Sequence, residues 1–144
     1  DVQTDLDTLN QNLKENGLEY VTVDAVMEAS DDSGQMLGYV LTVTDSEGYG
    51  GDIQLSMGVR MDGTLNGISI LSISETAGLG MNADTDAFKS QFADKNVEQF
   101  TYTKNGASAD NEIDAISGAT ITTNAVTNGV NGGLLTFQYL KGGN

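Results

Sequence analysis

Residues 51–73 read GDIQLSMGVRMDGTLNGISILSI, and this stretch has the most regular alternation of apolar and polar side chains in the chain. Every second residue in 53–61 is apolar, which is the pattern of a strand with one buried face. Asp62-Gly63 is a turn pair, and the apolar residues of 68–73 indicate the next strand. Because two such strands joined by a tight turn pair with each other, the stretch predicts an antiparallel hairpin.

The alternation extends upstream of this hairpin. Apolar residues alternate with polar ones in 21–27 and again in 37–43, with the turn sequence Asp31-Asp32-Ser33-Gly34 between them. These segments predict a second hairpin, so four antiparallel strands follow one another along the chain. Residues 97–104 predict one further strand or extended segment.

Three other segments have apolar residues at helical spacing, namely 1–15, 84–92 and 121–137. Asp84 is placed to cap the second of these helices. Glycines weaken the third by about 1 kcal/mol each; they are Gly129, Gly132 and Gly133. Strands in sequence with helices around them predict the α+β class, in a single domain that covers residues 1–144.

The chain is strongly acidic, with 21 Asp and Glu residues against 6 Lys and Arg and a net charge of −15. This charge disfavours nucleic acid and anionic lipid headgroups as partners, because both are bound through basic patches. The chain also has no Cys and no His. Thiolate chemistry, iron–sulfur ligation and the commonest transition-metal ligand are therefore absent, and we expect no metal site. General acid–base catalysis would have to use carboxylates or Lys.

One segment places small and hydroxyl residues directly before a predicted helix: Asp114-Ala115-Ile116-Ser117-Gly118-Ala119-Thr120-Ile121-Thr122-Thr123. A tight Ser-Gly-Ala turn would let a phosphate approach the backbone, and the N–H groups at the helix start would point at it. The same residue types also form ordinary helix caps. Taken alone, the pattern favours the ordinary cap, with an anion site as the alternative.

This segment resembles the flavinylation motif of the FMN-binding domain family, Asp-x-x-Ser/Thr-Gly-Ala-Thr-x-Ser/Thr. All motif residues are present: Asp114, Ser117, Gly118, Ala119, Thr120 and Thr122. The resemblance implies that the phosphate of FMN is esterified to Thr120, and that Ile121 and the other motif residues contact the cofactor. For Asp114, a role in motif recognition and a role in capping the turn both remain open.

A second set of residues supports the resemblance, in the family's order and spacing. It comprises Gly48-Tyr49-Gly50-Gly51-Asp52-Ile53, Gly58, Asp62-Gly63, Gly67-Ile68 and Glu75-Thr76-Ala77-Gly78-Leu79-Gly80. The resemblance implies a flavin pocket with two walls. One wall contains Glu75, Thr76, Gly78, Leu79 and Gly80, and the other contains Tyr49, Gly50 and Gly51. The alternative for the first wall is a glycine-rich turn after a strand, and Ala77 stands where the family commonly has proline.

Within the family, the resemblance is to the G subunit of the Rnf electron-transport complex and to the related C subunit of the sodium-translocating NADH:quinone oxidoreductase. It implies an electron-transfer subunit of a membrane-bound, ion-translocating complex, with no catalysis on a substrate by this chain alone. A separate flavin transferase would attach FMN, and other subunits of the complex would be the partners. The resemblance also implies a position on the extracytoplasmic face of the membrane, held by an N-terminal anchor upstream of residues 1–15.

Two alternatives stay open at this point. A stand-alone flavinylated lipoprotein used in extracellular electron transfer would carry the same motifs, and the sequence upstream of Asp1 would distinguish it. A non-redox acidic surface module is the alternative from a different class, favoured by the Gly- and Asp-rich composition. It gives no account of two separate motifs in the same order.

Overall fold

The computed structural model describes residues 6–48, 50–73, 80–104, 106–116 and 118–142. Its centre is a four-stranded antiparallel sheet with the strands in sequence order, which confirms the two predicted hairpins. The strands are β1 (Val21–Ser30), β2 (Met36–Gly48), β3 (Gly51–Arg60) and β4 (Leu65–Ser72).

Strand β4 begins at Leu65, three residues before the predicted start. Leu65 pairs with Val59, whereas Gly67 pairs with Gly58, so Asn66 is an extra residue in β4. Such a bulge interrupts the period of two. The alternation that marks the rest of the strand is therefore not visible at its beginning.

Within the described residues, three α-helices accompany the sheet: α1 (Leu6–Glu15), α2 (Asp86–Lys89) and α3 (Thr120–Gly142). The prediction that Asp84 caps the second helix is wrong. The hydroxyl of Thr85 accepts the hydrogen bond from the Phe88 N–H, at 3.3 Å. Asp84 instead ends a 3₁₀ turn, Gly80–Asp84, and forms an ion pair with Lys89 at 2.9 Å.

A short parallel pair of strands was not predicted. It joins β5 (Thr101–Thr103), within the segment expected to be extended, to β6 (Glu112–Asp114). Each strand has three residues, which is too short for an alternation pattern to be recognised in sequence. Strand β6 ends at Asp114, the first residue of the segment that resembles the flavinylation motif.

Helix α3 lies across one face of the sheet and forms the core with it, chiefly against β2. Buried side chains from both elements meet there: Leu41, Val43, Leu55 and Met57 from the sheet, and Ala125, Val126, Val130 and Leu134 from the helix. Helix α1 packs against β1 at the side of this layer. In the described ranges, no helix is both long and apolar enough to cross a membrane.

The glycines of α3 have a packing role that helix propensity does not reveal. A Cβ atom added at Gly132 would lie 2.5 Å from Cγ1 of Val21, closer than any real contact allows. A Cβ atom at Gly129 would lie 3.4 Å from Leu55, which is ordinary contact. Because Gly132 has no side chain, α3 can approach β1 closely. The cost is a less stable helix, since glycine is a weak helix former.

We expect Gly132→Ala to destabilise the domain by about 1–3 kcal/mol, because overpacking against the stiff Val21 side chain outweighs the gain in propensity. Gly129→Ala is the matched control, and should be neutral or stabilising by up to about 1 kcal/mol. Urea unfolding of both variants measures the difference. Equal stabilisation by the two alanines would show that the helix is not held against β1 in this way.

Candidate functional site

Thr120 is the first residue of α3 and is half-buried, at the point where a tight turn enters the helix. The Ala119 N–H donates to the Ile116 carbonyl at 3.0 Å and closes this turn. Gly118 has φ of 74°, in the left-handed region that favours glycine. Ser117 lies outside the described residues. The Gly-Ala-Thr triplet thus has a local geometry that requires its glycine.

Thr123 ties the two ends of this turn together. Its hydroxyl accepts a hydrogen bond from the Ile116 N–H at 2.9 Å and donates one to the Ala119 carbonyl at 3.0 Å. The Thr123 N–H also bonds the Ala119 carbonyl, at 3.0 Å. The Thr123 side chain is fully buried. Its hydroxyl therefore links the turn before Thr120 to the first turn of α3 through hydrogen bonds that are shielded from solvent.

Asp114 is held by its backbone and by its side chain. The amide of Gln91 accepts from the Asp114 N–H at 2.7 Å and donates to the Asp114 carbonyl at 3.3 Å, as a neighbouring strand would. The Asp114 carboxylate accepts the N–H of Ala107. This contact braces the loop before β6, so the side chain has a structural role whether or not it also serves in recognition.

The parallel strand pair is itself attached to α3. The Asn131 side chain accepts the Phe100 N–H at 2.7 Å and donates to the Phe100 carbonyl at 2.9 Å, directly before β5. The ring of Phe100 packs edge-on against Phe92, with centroids 5.0 Å apart. Asp114 and Thr120, six residues apart in sequence, are therefore both positioned relative to one helix.

The first turn of α3 is suited to an anion. The N–H groups of a first helical turn have no carbonyl partners within the helix, and the helix dipole places partial positive charge there. No acidic residue occurs in this first turn, although the chain carries 21 of them. Ile121 is 53% exposed beside Thr120, while Thr122 is buried. A phosphate esterified to Thr120 fits these surroundings.

The two implied walls of the flavin pocket lie partly among the described residues. Glu75, Thr76, Gly78 and Leu79 lie outside the described residues, as does Tyr49. Gly80 is buried at the start of the 3₁₀ turn that packs against α3. The predicted loop thus ends beside the helix that carries Thr120.

Gly50 lies in the turn after β2 and Gly51 is the first residue of β3, and both are exposed. The end of β2 reaches α3 through Glu47, whose carboxylate accepts from the Asn128 amide at 3.0 Å. Asn128 is eight residues after Thr120, or about 12 Å along the helix axis. The glycine pair therefore belongs to the end of the sheet that faces the N-terminal half of α3.

Asp45 is a buried carboxyl that the sequence analysis did not identify. It is 1% exposed on the inner face of β2, and its Oδ1 accepts the Glu47 N–H at 2.6 Å. Its Oδ2 has no hydrogen-bond partner among the described residues. The pKa of Asp45 is raised to about 8, chiefly by burial and also by the nearby charges of Glu47 and Asp52, against the opposing hydrogen bond from the Glu47 N–H. Asp45 therefore carries a proton at neutral pH.

Two of the residues missed in sequence had a recognisable signal. Asp45 continues the alternation of Leu41 and Val43, which predicts an inward-facing side chain. Thr123 stands four residues after Ala119, the spacing at which a helical hydroxyl can bond a carbonyl. Gln91 gave no such signal, because its contact with Asp114 depends on the tertiary fold.

The sequence of the chain is similar to that of a known protein family and of several characterised subunits. Residues 48–134 match the FMN-binding domain family. The chain is 43% identical over 102 residues to the G subunit of the proton-translocating ferredoxin:NAD(+) oxidoreductase complex of Clostridium ljungdahlii, covering 71% of this chain and 54% of that protein. It is 36% identical over 111 residues to the G subunit of the Na(+)-translocating ferredoxin:NAD(+) oxidoreductase complex of Acetobacterium woodii, covering 76% and 53%. The chain thus spans about half the length of these relatives.

Two crystal structures share the fold. NqrC of Shewanella oneidensis superposes with a TM-score of 0.66 at 22% identity, over 82% of this chain and 59% of that one. The C subunit of the Na(+)-translocating NADH-quinone reductase of Parabacteroides distasonis gives 0.61 at 24% identity, over 96% and 67%. At these identities the likeness concerns the fold, and it confirms the predicted α+β class.

Proposed function

The chain belongs to the FMN-binding domain family, and from this premise we propose that it is a covalent FMN carrier. In this proposal FMN is esterified through its phosphate to Thr120. The domain then serves as an electron relay within a membrane-bound, ion-translocating oxidoreductase of the Rnf type. The chain does not act on a substrate alone.

The observation that carries the proposal is the position of Thr120. It begins a 23-residue helix, follows a turn closed across Gly118, and has no acidic residue in the helical turn that it opens. A phosphoester on its Oγ1 would therefore lie where helix N–H groups and the helix dipole favour negative charge. The match of residues 48–134 to the family covers this helix start.

Attachment of the flavin requires another protein. Thr120 Oγ1 forms the new bond to the phosphorus of the FMN half of FAD, AMP leaves with the electron pair of the broken P–O bond, and the hydroxyl proton goes to a base. This chain has no His to act as that base. We therefore propose that a separate flavin transferase activates Thr120.

A covalent bond suits a protein of this charge. When bound, FMN supplies the redox chemistry, while the protein supplies position and electrostatics. A net charge of −15 gives the chain little long-range attraction for a phosphate that carries about two negative charges. The Thr120 ester removes the need for such attraction, and the tether holds the ring over its pocket at high effective concentration.

The partners follow from the relatives. The Clostridium and Acetobacterium proteins are named as subunits of ion-translocating ferredoxin:NAD(+) oxidoreductase complexes. We propose that this domain exchanges electrons with other subunits of such a complex, on the extracytoplasmic face of the membrane. An N-terminal segment would anchor it there.

The relay function predicts selective reduction. The flavinylated domain, mixed anaerobically with dithionite, should bleach at once, because its flavin is accessible to a small reductant. NADH should bleach it very slowly or not at all, because the sequence contains no G-x-G-x-x-G motif and its 6 Lys and Arg residues are scattered along the chain rather than clustered. Stopped-flow absorbance measures both rates.

The unflavinylated domain mixed with free FMN is the control for reduction of unbound flavin. Rapid and saturable bleaching by NADH would make this domain a dehydrogenase, and the relay proposal would be wrong. Bleaching by neither reductant would show that the flavin is not in a functional redox site.

A further inference from the structure

The turn that precedes Thr120 is fixed by one oxygen atom. The Thr123 hydroxyl bonds the Ile116 N–H at 2.9 Å and the Ala119 carbonyl at 3.0 Å, on either side of Gly118. Ile116, Ala119 and Thr123 are each at most 8% exposed. Water is therefore not available to replace these bonds if the hydroxyl is removed.

A second threonine in α3, Thr136, makes only one of the two kinds of hydrogen bond that Thr123 makes among the described residues. The Thr136 hydroxyl donates to the Gly132 carbonyl at 2.8 Å, four residues earlier, and the side chain is fully buried. This is the same helical bond that Thr123 makes to Ala119. Thr123 differs because its oxygen also accepts a backbone N–H from outside the helix, seven residues upstream.

Gly118 is the place where this fastening matters. With φ of 74° and no side chain, it is the least restricted residue of the turn. The hydrogen bond from the Ala119 N–H to the Ile116 carbonyl closes the turn. The Ile116 N–H takes no part in that bond and donates to the Thr123 hydroxyl instead. Without the Thr123 hydroxyl, the Ile116 N–H would be buried without a partner, and the turn would rearrange to satisfy it.

We infer that Thr123 is a positioning residue for flavinylation: its hydroxyl fastens the turn from Ile116 to Ala119 so that the Thr120 hydroxyl is presented in one geometry. This inference rests on the proposed function, since it concerns the attachment of FMN to Thr120. It extends the functional segment beyond the motif, which ends at Thr122. A preorganised acceptor loses less freedom when it meets the transferase, so its reaction is faster.

The test uses the unloaded domain with purified flavin transferase and FAD, and follows the FMN adduct by intact mass. Thr123→Val, which removes the hydroxyl but keeps the shape, should be modified about tenfold more slowly, the effect expected of one lost buried hydrogen bond. Thr123→Ser restores the hydroxyl and should stay within about twofold of wild type. Thr136→Val is the matched control, and should be modified at the wild-type rate.

A second measurement needs no flavin. Hydrogen exchange at the Ile116 amide of the unloaded domain should be faster in Thr123→Val and unchanged in Thr136→Val, because only the first variant removes its acceptor. Rates are compared after correction for the folded fraction, measured by circular dichroism. If Thr123→Val does not fold, Thr123→Ala takes its place at lower temperature, with Thr123→Ser as its reference.

The results for wild type and Thr120→Val test the proposed function, and those for Thr123→Val test the inference on Thr123. An unmodified wild type, or an undiminished adduct in Thr120→Val, refutes the proposed function. A wild type that is modified normally, together with Thr123→Val at the wild-type rate, overturns the inference alone. Equal slowing by Thr123→Val and Thr136→Val also overturns it, because general loosening of the helix would then be the cause.

Discussion

Replacing Thr120 with valine should abolish the FMN adduct completely, because valine keeps the shape of threonine but lacks the oxygen that the phosphoester needs. Co-expression with a flavin transferase followed by intact-mass measurement gives the result directly. Wild type should gain one FMN. The Thr120→Val protein should remain unmodified and, after denaturation, show no flavin fluorescence.

Thr122→Val is the control for the neighbouring hydroxyl. Thr122 is buried, and its side chain is expected to support the motif without receiving the flavin, so this variant should keep at least part of the adduct. An undiminished adduct in Thr120→Val would refute the assignment of the site. Loss of the adduct in both variants would mean that the motif fails as a unit, and mapping of the modified peptide in wild type would then identify the acceptor.

The sheet could be predicted from sequence because its strands have one buried and one exposed face. Residues 53–61 alternate without a break, and the observed β3 has its apolar residues on the inner face. The alternation failed at bulges, where an added residue changes which side chains face inward. In β1 the bulge after Val23 leaves Val26 buried and Met27 exposed. In β4 the bulge lies at Asn66. Strand order followed from the short connections between neighbouring strands, which leave little choice of topology. The register was not predicted, and each strand pair contains a shift.

The helix that carries the site could be predicted only in part. Propensity counted Gly132 as a weakness of α3, whereas the helix needs a residue without a side chain there to reach Val21. Close approach between two elements depends on their final arrangement, which a single sequence does not contain. The parallel pair of β5 and β6 was missed for the same reason, since its contact joins segments about ten residues apart through three residues each.

For the site itself, the resemblance indicated Thr120 and the residues around it, while the pattern alone favoured an ordinary cap. The contacts that fix the motif lay outside it. Gln91 holds the Asp114 backbone from 23 residues upstream, and the Thr123 hydroxyl fastens the turn from one residue beyond the motif. Thr123 had a signal in its four-residue spacing from Ala119, whereas the contact of Gln91 with Asp114 becomes visible only in the fold.

The free energy of unfolding should depend strongly on pH because of the buried carboxyl of Asp45. Its pKa is raised to about 8 in the folded protein by burial and then by Glu47 and Asp52, against an ordinary value of 3.8. Between these values the folded state binds one proton more than the unfolded state. The free energy of unfolding therefore falls as pH rises, by about 1.4 kcal/mol per pH unit from this group alone. The stabilisation is fully present below the ordinary pKa and is lost as pH rises through about 8.

Asp45→Asn cannot ionise, so this slope should be absent, and the variant should gain stability relative to wild type as pH rises from about 5 to about 7. Urea unfolding across that range measures the difference between the two proteins, in which the repulsion among the other acidic groups cancels. The α3 residue beside Asp45 is Gly129, which carries no charge.

Asp31→Asn is the matched control, because it also removes one carboxyl. Asp31 is fully exposed, and hydrogen bonds from Ser33 and Gln35 hold its pKa below the ordinary value. It is therefore ionised in both the folded and the unfolded states between about pH 5 and about pH 7, so the slope of wild type should persist in this variant. Parallel stability curves for wild type and Asp45→Asn would show that Asp45 is ionised in the folded protein. The loss of stability with pH would then come from net charge alone, and a buried proton between β2 and α3 would have no part in it.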